Sequence, residues 1–398
     1  MKKNITEIGK RCCGCRGCGQ VCHVAAISFY EDEEGFMQPT VDDAACIGCG
    51  KCLKVCPINH VNTFDDKQVG YAARTVNQED ISHCSSGGLF YVFAKEILKN
   101  GGVVCGCSTN AQMMPEHTIA STIAEAQGMR GSKYVQSDMN DVYTRIREHL
   151  KAGKTVLFTG VPCQVAGLRN FLIKDYPNLF CIDIICHGVP SRKFYAKYLD
   201  WLGKKYGGKI TEFEFRTKKR HQWSLTQRAV VEKSGGSKTE HLLMASLDPY
   251  YHNFLEGSDY RESCYQCPYS QTKRAGDITI GDFWGVEQTH PNLFDIDGVS
   301  CALVNSVKGK ELWMLTLGKV SATEVDINDI INYNGNLRKP TKRLAVRDTI
   351  YKRVAEGGFD AIPYNLSIKS RIVDSIKNIV PNIIRYKIKM IVKKMLHR

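Results

Sequence analysis

After residue 68 the chain alternates between short apolar runs, which are typical of buried strands, and segments in which apolar residues recur at helical spacing. The predicted strands cover residues 69–75, 103–107, 155–159, 180–185, 209–217, 227–232, 277–280 and 299–304. The predicted helices cover residues 87–98, 162–172 and 191–202. This alternation favours an α/β domain built on a mixed sheet. The pattern shows no internal repeat except a doubled cysteine run near the N-terminus.

The composition, 43% hydrophobic and 24% charged residues over 398 positions, is that of a folded protein and excludes a disordered or collagen-like chain. This length suits two or three domains. We expect a small cysteine-rich domain over residues 1–62, a larger α/β domain over residues 69–345 and a helical tail over residues 346–398, so the fold class is α+β / α/β. No signal segment and no run of about 18 apolar residues occurs, so we expect a cytoplasmic protein.

Cysteine usage departs most from an ordinary composition, because 18 residues are cysteine and nine of them lie within the first 60 positions. Eight of the nine form two runs of the pattern C-x2-C-x2-C-x3-C. The first run is Cys12, Cys15, Cys18 and Cys22, and the second is Cys46, Cys49, Cys52 and Cys56. Disulfide-rich folds are usually small and secreted, so these runs in a chain of this size favour intracellular metal binding.

The doubled run is typical of ferredoxins with two [4Fe-4S] clusters, in which the fourth cysteine of each run ligates the other cluster. We therefore predict one cluster on Cys12, Cys15, Cys18 and Cys56, and a second on Cys46, Cys49, Cys52 and Cys22. The alternative, a zinc ribbon, needs only two C-x2-C pairs and would leave half of these cysteines unexplained. His23 stands where a proline usually follows the first run, and Cys13 is interpreted as a bystander.

Three loops with small residues lie at predicted strand-to-helix junctions. They are Ser-Ser-Gly-Gly at residues 85–88, Gly-Ser-Lys-Tyr at residues 131–134 and Thr-Gly-Val-Pro at residues 159–162. Free N–H groups at a helix N-terminus bind phosphate, but a plain turn or helix cap explains each loop at least as well. No G-x-G-x-x-G follows a first strand and no Walker A motif is present, which argues against an ordinary Rossmann NAD site or a P-loop.

Five blocks, in this order, resemble the beta-subunit family of coenzyme F-420 hydrogenases and dehydrogenases. They are CSSGGL (84–89), GSKYVQS (131–137), TGVPCQVAGLR (159–169), CHGVPS (186–191) and CYQCPYSQTKRAGDITIGDFWG (264–285). The last block and GVPCQ are the most specific. With the ferredoxin-like front, the resemblance covers most of residues 1–305.

Members of this family are iron–sulfur flavoproteins that pass electrons between clusters and a two-electron acceptor through FAD. The resemblance implies a third [4Fe-4S] cluster on Cys163, Cys186, Cys264 and Cys267. Cys163 and Cys186 each follow a predicted strand, which places both at one edge of the sheet, although buried structural cysteines are the alternative. The resemblance also implies FAD held by Ser86, Gly87, Gly88, Gly131, Ser132, Lys133, Tyr134, Gln136, Thr159 and Gly160, with Asp277 and Gly281 nearby.

Clusters and flavin together connect one-electron donors with two-electron substrates. We expect an FAD-dependent iron–sulfur oxidoreductase that takes electrons from ferredoxin or another redox protein and reduces a small organic substrate, and the reverse direction is equally compatible. The alternative is an electron-transfer subunit of a larger hydrogenase or dehydrogenase complex that exchanges hydride with a deazaflavin coenzyme. His187 is the candidate catalytic proton donor, with a structural histidine as its alternative.

The net charge of +13 is concentrated at the C-terminus, since residues 366–398 contain nine basic residues and one acidic residue. Apolar residues recur there at helical spacing, and Pro381 divides the segment into two predicted helices. Such a tail is compatible with three roles: peripheral contact at the inner face of the membrane, binding to a partner protein or to a second copy in a homo-oligomer, and packing on its own domain. We expect no nucleic-acid partner, because the charge is concentrated in this tail and no nucleic-acid module is visible.

Overall fold

The computed structural model describes residues 3–64 and 67–362, together with residues 380 and 384. The two tail helices predicted within residues 366–398 therefore lie outside the described residues. Within the described residues, no helix combines the length and the apolar character needed to cross a membrane.

The N-terminal domain is small and is built around its cysteine runs. It contains a 3-10 helix at Ile5–Arg11, helices α1 (Gly17–Val21) and α2 (Lys51–Lys54), and an antiparallel hairpin of strands β1 (Ile27–Glu31) and β2 (Met37–Val41). The backbone of Gly14, Gly48 and Gly50 has φ near +70°, a conformation that only glycine adopts without strain, so each cysteine run can bend tightly before its short helix.

The larger domain contains the remaining strands. They are β3 (Val69–Thr75), β4 (Val103–Thr109), β5 (Pro115–Ala120), β6 (Val156–Gly160), β7 (Leu179–Ile184), β8 (Lys209–Glu214), β9 (Thr226–Glu232), β10 (Lys238–Met244), β11 (Ile278–Asp282), β12 (Ser300–Val304) and β13 (Val320–Val325). Within the described residues, eight of them form one sheet in the order β13-β3-β12-β11-β7-β6-β4-β5. The four strands β11, β7, β6 and β4 are parallel, and the outer neighbours are antiparallel, so the sheet is mixed. Strands β8 to β10 form a separate antiparallel sheet.

Helices cover both faces of the large sheet. The helices of the larger domain are α3 (Gln78–Ser82), α4 (Leu89–Lys99), α5 (Ile123–Ala126), α6 (Val142–Lys151), α7 (Pro162–Leu172), α8 (Arg192–Tyr206), α9 (Pro249–Glu256), α10 (Val286–Thr289), α11 (Val307–Met314), α12 (Ile327–Tyr333) and α13 (Arg347–Gly357). Of these, α8, α9 and α13 share a core with the smaller sheet. Val104 of β4 packs with α4, whereas its neighbour Cys105 packs with α6 and α7 on the opposite face. Alternate residues of the central strands thus face two separate hydrophobic cores, which explains their continuous apolar runs.

These elements confirm the predicted fold class and each of the predicted strands and helices before residue 305, with boundaries shifted by a few residues. The predicted division at residue 346 needs correction. Ile350 and Val354 of α13 are buried in the same core as Phe194 and Tyr198 of α8, because both helices present an apolar side to that core. Residues 347–362 therefore pack as part of the larger domain and not as a tail.

The parallel centre of the sheet determines where the chemistry lies. Strands β6 and β7 pair with Gly160 opposite Asp183, so both strands end at the same edge. Cys163 follows β6 by three residues, and Cys186 follows β7 by two. In open α/β sheets, ligands bind in the crevice beyond the carboxyl ends of the parallel strands.

Candidate functional site

A cavity of about 310 Å³ lies at the carboxyl edge of β6 and β7, a volume in the range of small-molecule and cofactor sites. It brings together residues from all five sequence blocks that carry the family resemblance, including His187 of the block at residues 186–191. The predicted site residues that line it are Ser86, Gly88, Gly131, Ser132, Lys133, Tyr134, Gln136, Thr159, Gly160, Gly281, His187, Cys163, Cys186, Cys264 and Cys267. The cavity therefore joins the predicted flavin loops to the predicted third cluster site.

The loop at residues 85–88 is fixed by bonds to its surroundings. The Ser132 N–H donates to Ser85 Oγ (2.8 Å), Ser86 Oγ donates to the Val299 carbonyl (3.0 Å), and the Gly87 N–H donates to Ser300 Oγ (2.9 Å). A Cβ on Gly87 would lie 2.5 Å from the Ala73 carbonyl oxygen, so only glycine fits there. Gly87 supports the loop from behind the cavity wall, whereas Ser86 and Gly88 line the cavity.

Lys133 has a different role from the one expected of it. Its ammonium group donates to the carbonyls of Arg130 (2.8 Å), Gly128 (3.1 Å) and Gly131 (3.3 Å), so all three of its N–H bonds are engaged within its own loop. Burial lowers the pKa of Lys133. In this structure Lys133 therefore fixes the loop and does not present a free charge to a ligand.

Tyr134 and Gln136, the other predicted residues of this loop, face different neighbours. Tyr134 packs on Phe254, with ring centroids 4.5 Å apart, and on Tyr251 at 5.2 Å. Gln136 lines the cavity but uses its amide N–H to bind the Cys13 carbonyl of the N-terminal domain (3.0 Å). The loop therefore connects the cavity both to an aromatic cluster and to the first cysteine run.

A buried polar network that sequence reasoning missed supports the turn after β6. His117 Nε2 donates to the Thr159 carbonyl (3.0 Å), and Ser137 Oγ lies 2.9 Å from His117 Nδ1 and accepts from Gln164 Nε2 (3.0 Å). Gln164 Oε1 in turn accepts from the Val161 N–H (3.1 Å). Burial lowers the pKa of His117 to about 4, so the imidazole is neutral and can donate from one nitrogen and accept at the other.

The four cysteines predicted for the third cluster converge on one side of the cavity. Cys163 lies in the first turn of α7, Cys186 follows β7, and Cys264 and Cys267 lie in and just after the 3-10 helix Glu262–Gln266. Each of them is close enough to others of the four to perturb their ionisation. Burial raises the pKa of Cys264, Cys267 and Cys186, to about 12 for Cys186, whereas interaction with the Cys13 thiol, followed by burial, raises that of Cys163. Metal binding would supply the charge that stabilises the thiolates.

The eight cysteines of the N-terminal runs fall into two spatial groups. Cys18 is close to Cys12, Cys56 and Cys15, while Cys22, Cys46, Cys49 and Cys52 line a small pocket of about 20 Å³. This is the crossed grouping predicted from the spacing, and its ligation of iron stays a prediction. Among the described residues, no group of three or more His, Cys, Asp or Glu side chains is arranged to hold a single metal ion. A [4Fe-4S] cluster does not need that arrangement, because each cysteine binds a different iron.

Asp277 lies away from the cavity. Its carboxylate is fully buried and accepts from Arg169 Nη2 (2.9 Å), the Cys181 N–H (2.8 Å) and Ser306 Oγ (2.7 Å). These bonds join α7, β7 and α11 behind the sheet edge. The structure therefore gives Asp277 a structural role and does not place it next to a cavity ligand.

His187 borders the cavity and packs edge-on against Phe254, with ring centroids 6.5 Å apart. His187 keeps an exposed surface, but desolvation by the protein around it lowers its pKa and favours the neutral imidazole. A neutral imidazole carries one N–H donor and one acceptor nitrogen. The geometry is compatible with a proton-transfer role, which stays a prediction.

The cavity also contains residues to which the sequence analysis gave no role. Asp282 and Trp284 line it, and Asp282 accepts from Arg216 Nη1 (2.6 Å) and Trp223 Nε1 (2.6 Å). Trp223 stacks on Trp284 with centroids 5.3 Å apart and an interplanar angle of 4°. Both Asp282 and Trp284 lie within the GDFWG motif, so this motif is the sequence signal by which they could have been identified. Arg216 and Trp223 come from the segment between β8 and β9, which carries no recognisable motif.

Two family models match parts of this chain. Residues 153–329 match the family described as the C terminus of the coenzyme F420 hydrogenase/dehydrogenase beta subunit, and residues 11–60 match a 4Fe-4S dicluster domain. Among solved structures, one chain of the xenon-derivatized F420-reducing [NiFe] hydrogenase complex from Methanosarcina barkeri is 16% identical, with a TM-score of 0.44 over 74% of this chain and 94% of that chain. No curated protein matches. The chain therefore contains a segment similar to the C terminus of the coenzyme F420 hydrogenase/dehydrogenase beta subunit at residues 153–329, preceded by a 4Fe-4S dicluster domain at residues 11–60.

Proposed function

We propose that the chain is an iron–sulfur electron-transfer subunit of an oxidoreductase, and that it passes electrons between three [4Fe-4S] clusters and an FAD bound in the 310 Å³ cavity. The observation that carries the proposal is that one cavity is lined both by Cys163, Cys186, Cys264 and Cys267 and by small-residue loops at helix N-termini. FAD, when bound, supplies the conversion between one-electron and two-electron transfer.

The chain's own residues fit a dinucleotide in this cavity. Gly88 and Leu89 place the N-terminus of α4 at the cavity wall, and Pro162 and Cys163 place the first turn of α7 there; in α7 the Val161 N–H is already bonded to Gln164 Oε1 and Pro162 has no N–H, so α4 offers the freer N–H groups. Helix N-termini carry partial positive charge and free N–H groups, both of which favour a phosphate. Arg130 also lines the cavity and adds a full positive charge. The loops thus supply the groups that a pyrophosphate needs.

Cofactor analysis of anaerobically purified protein tests the proposal. We expect about one FAD and about twelve iron atoms per chain, with an absorption spectrum that contains both flavin and cluster bands. Gly131→Val, in the cavity wall, should lower the flavin content. Gly101→Val is a matched control, because the two glycines have similar φ angles (+78° and +75°), a Cβ on either would meet no atom within 4 Å, and Gly101 is in a turn away from the cavity. Iron-loaded protein without flavin would contradict the FAD part of the proposal.

A second candidate function is an enzyme with its own organic substrate. It is favoured by the position of His187, Asp282 and Trp284, which place a proton carrier, a carboxylate and an aromatic face on the same cavity. The two functions differ in their need for a partner. Turnover of a small substrate by the purified chain with dithionite would favour the enzyme, whereas turnover only after addition of a partner polypeptide would favour the electron-transfer role.

A further inference from the structure

Three hydrogen bonds join the backbone beside Cys12, Cys13 and Cys56 to the larger domain, and two of them come from the segment that carries Cys264 and Cys267. Arg261 Nε donates to the Cys12 carbonyl (2.5 Å), Gln136 Nε2 donates to the Cys13 carbonyl (3.0 Å), and Tyr269 Oη donates to the Pro57 carbonyl (2.7 Å). Arg261 precedes Cys264 by three residues, Tyr269 follows Cys267 by two, and Pro57 follows Cys56. The backbone beside one set of cysteines is therefore tied to the segment that carries the other set.

Side chains also meet across this boundary. Gly167 lies one helical turn after Cys163 on α7, and a Cβ on Gly167 would lie 3.2 Å from Cys15 Sγ and 2.9 Å from Tyr143 Oη. Because Gly167 has no side chain, Cys15 can approach the helix that carries Cys163. The Cys13 thiol is close enough to the Cys15 and Cys163 thiols to perturb their ionisation, and it borders the same cavity as Cys163.

The other N-terminal group of cysteines faces solvent. Cys49 is the only exposed cysteine among the 18, all of which the structure describes. Its neighbour Ile47 is 58% exposed, whereas Cys15, Cys18 and Cys56 are at most 8% exposed. The pocket lined by Cys22, Cys46, Cys49 and Cys52 therefore lies on the outside of the molecule, and the group with Cys15 lies between it and the larger domain.

Building on the proposed function, we propose that the three clusters act in a fixed order and that Cys13 and Gly167 are positioning residues for the inner step. Cys22, Cys46, Cys49 and Cys52 would hold the outer cluster, which would exchange single electrons with an external redox protein. Cys12, Cys15, Cys18 and Cys56 would hold the inner cluster, which would exchange them with the third cluster site, because Cys15 lies against the helix that carries Cys163. Each transfer would oxidise one cluster and reduce its neighbour by one electron, with no bond formed or broken.

Electron paramagnetic resonance of the dithionite-reduced full chain tests this order, because neighbouring reduced clusters split each other's signals. We expect Cys49→Ser, which removes a ligand of the outer cluster, to leave the splitting of the third-cluster signal unchanged. Cys18→Ser, which removes a ligand of the inner cluster, should abolish that splitting. If the splitting instead disappears in Cys49→Ser and persists in Cys18→Ser, the proposed order is wrong.

Two further variants keep all twelve predicted ligands and test the positioning residues. Gly167→Ala pushes Cys15 away from α7, and Cys13→Ala removes the sulfur between the two sites. We expect unchanged iron content but weaker splitting and slower reduction of the flavin by the external donor in both variants. Unchanged splitting and rate in both would refute the positioning role. An iron count of about eight with no third-cluster signal would instead refute the proposed function, which separates the two failures.

Discussion

Asp183 and Arg274 form a buried ion pair next to the predicted third cluster site: Arg274 Nη2 lies 3.2 Å from Asp183 Oδ1, and the two side chains are 0% and 1% exposed, respectively. Asp183 is the last residue of β7 that pairs with β6, and it also accepts hydrogen bonds from the Ala275 and Gly276 N–H groups, each at 3.0 Å. One carboxylate thus holds the segment after Cys267 against the strand that leads to Cys186. The ion pair therefore fixes the relative positions of cysteines that are far apart in sequence.

We expect Asp183→Asn to destabilise the protein and to lower its iron content. Removing one partner of a buried pair leaves the other charge without compensation, which typically costs about 3–5 kcal/mol. Chemical denaturation measures the free energy of unfolding, and iron analysis measures cluster occupancy. Asp175→Asn is the control, because Asp175 is 67% exposed in its pair with Lys308 and such surface pairs contribute about 0–1 kcal/mol. Equal effects of the two substitutions would contradict the prediction.

Lys218 connects the segment between β8 and β9 to the cavity loop. Its ammonium group donates to the carbonyls of Ser86 (2.8 Å) and Ile81 (2.7 Å), and burial lowers its pKa to about 8. We expect Lys218→Met to release the loop at residues 85–88 and to weaken flavin retention, measured as flavin content after gel filtration. Lys219→Met is the matched control, because Lys219 is 54% exposed and pairs with Glu240 at the surface. A similar loss of flavin in both variants would mean that Lys218 has no specific role.

Asp248 should make stability depend on pH. It caps α9 by accepting from the Tyr251 N–H (2.8 Å) and accepts from Tyr198 Oη (2.7 Å), but burial raises its pKa to about 6 from an ordinary value of 3.8. A carboxyl group with a raised pKa favours the folded state when protonated, so its ionisation lowers the free energy of unfolding as the pH rises from about 4 to 6. A shift of this size corresponds to at most about 3 kcal/mol.

Asp248→Asn removes this ionisation and keeps a residue that caps helices equally well. We therefore expect the free energy of unfolding of the wild type, relative to that of the variant, to fall between about pH 4 and pH 6 and to stay level at higher pH. Urea denaturation at several pH values measures the difference. Parallel profiles for the two proteins would show that Asp248 does not titrate in this range.

The parts of the fold that the sequence predicts are those with a strong local pattern. Helix α7 is predicted with its observed limits because a proline begins it, and β4, β6 and β7 are predicted because both faces of these strands are buried and their sequences are continuously apolar. Strand β13 is not predicted, because four of its six residues are exposed at the edge of the sheet. An edge strand lacks the apolar pattern by which a buried strand is recognised.

The candidate site likewise contains residues that a local sequence pattern predicts and residues that only the folded structure brings together. The grouping of the N-terminal cysteines follows from short spacings within the chain, so the amino-acid sequence is enough to predict it. His117 could not be predicted, because its partners Ser137 and Thr159 are 20 and 42 residues away and become neighbours only when β5 and β6 enter one sheet. Asp277 is misplaced by sequence for a related reason. It belongs to a recognisable motif, but its hydrogen-bond partners lie behind the sheet edge and not in the cavity.

The two N-terminal cluster sites should lose iron at different rates. Cys49 is exposed and Cys22, Cys46 and Cys52 are partly exposed, whereas Cys15, Cys18 and Cys56 are buried, so oxygen or a chelator reaches the outer group first. We expect iron release into a chelator in air to show a fast phase of about four atoms per chain, followed by slower release. Cys49→Ser should abolish the fast phase and leave the slow release unchanged. A single phase in the wild type, or a fast phase that survives in Cys49→Ser, would show that exposure of the outer group does not control iron loss.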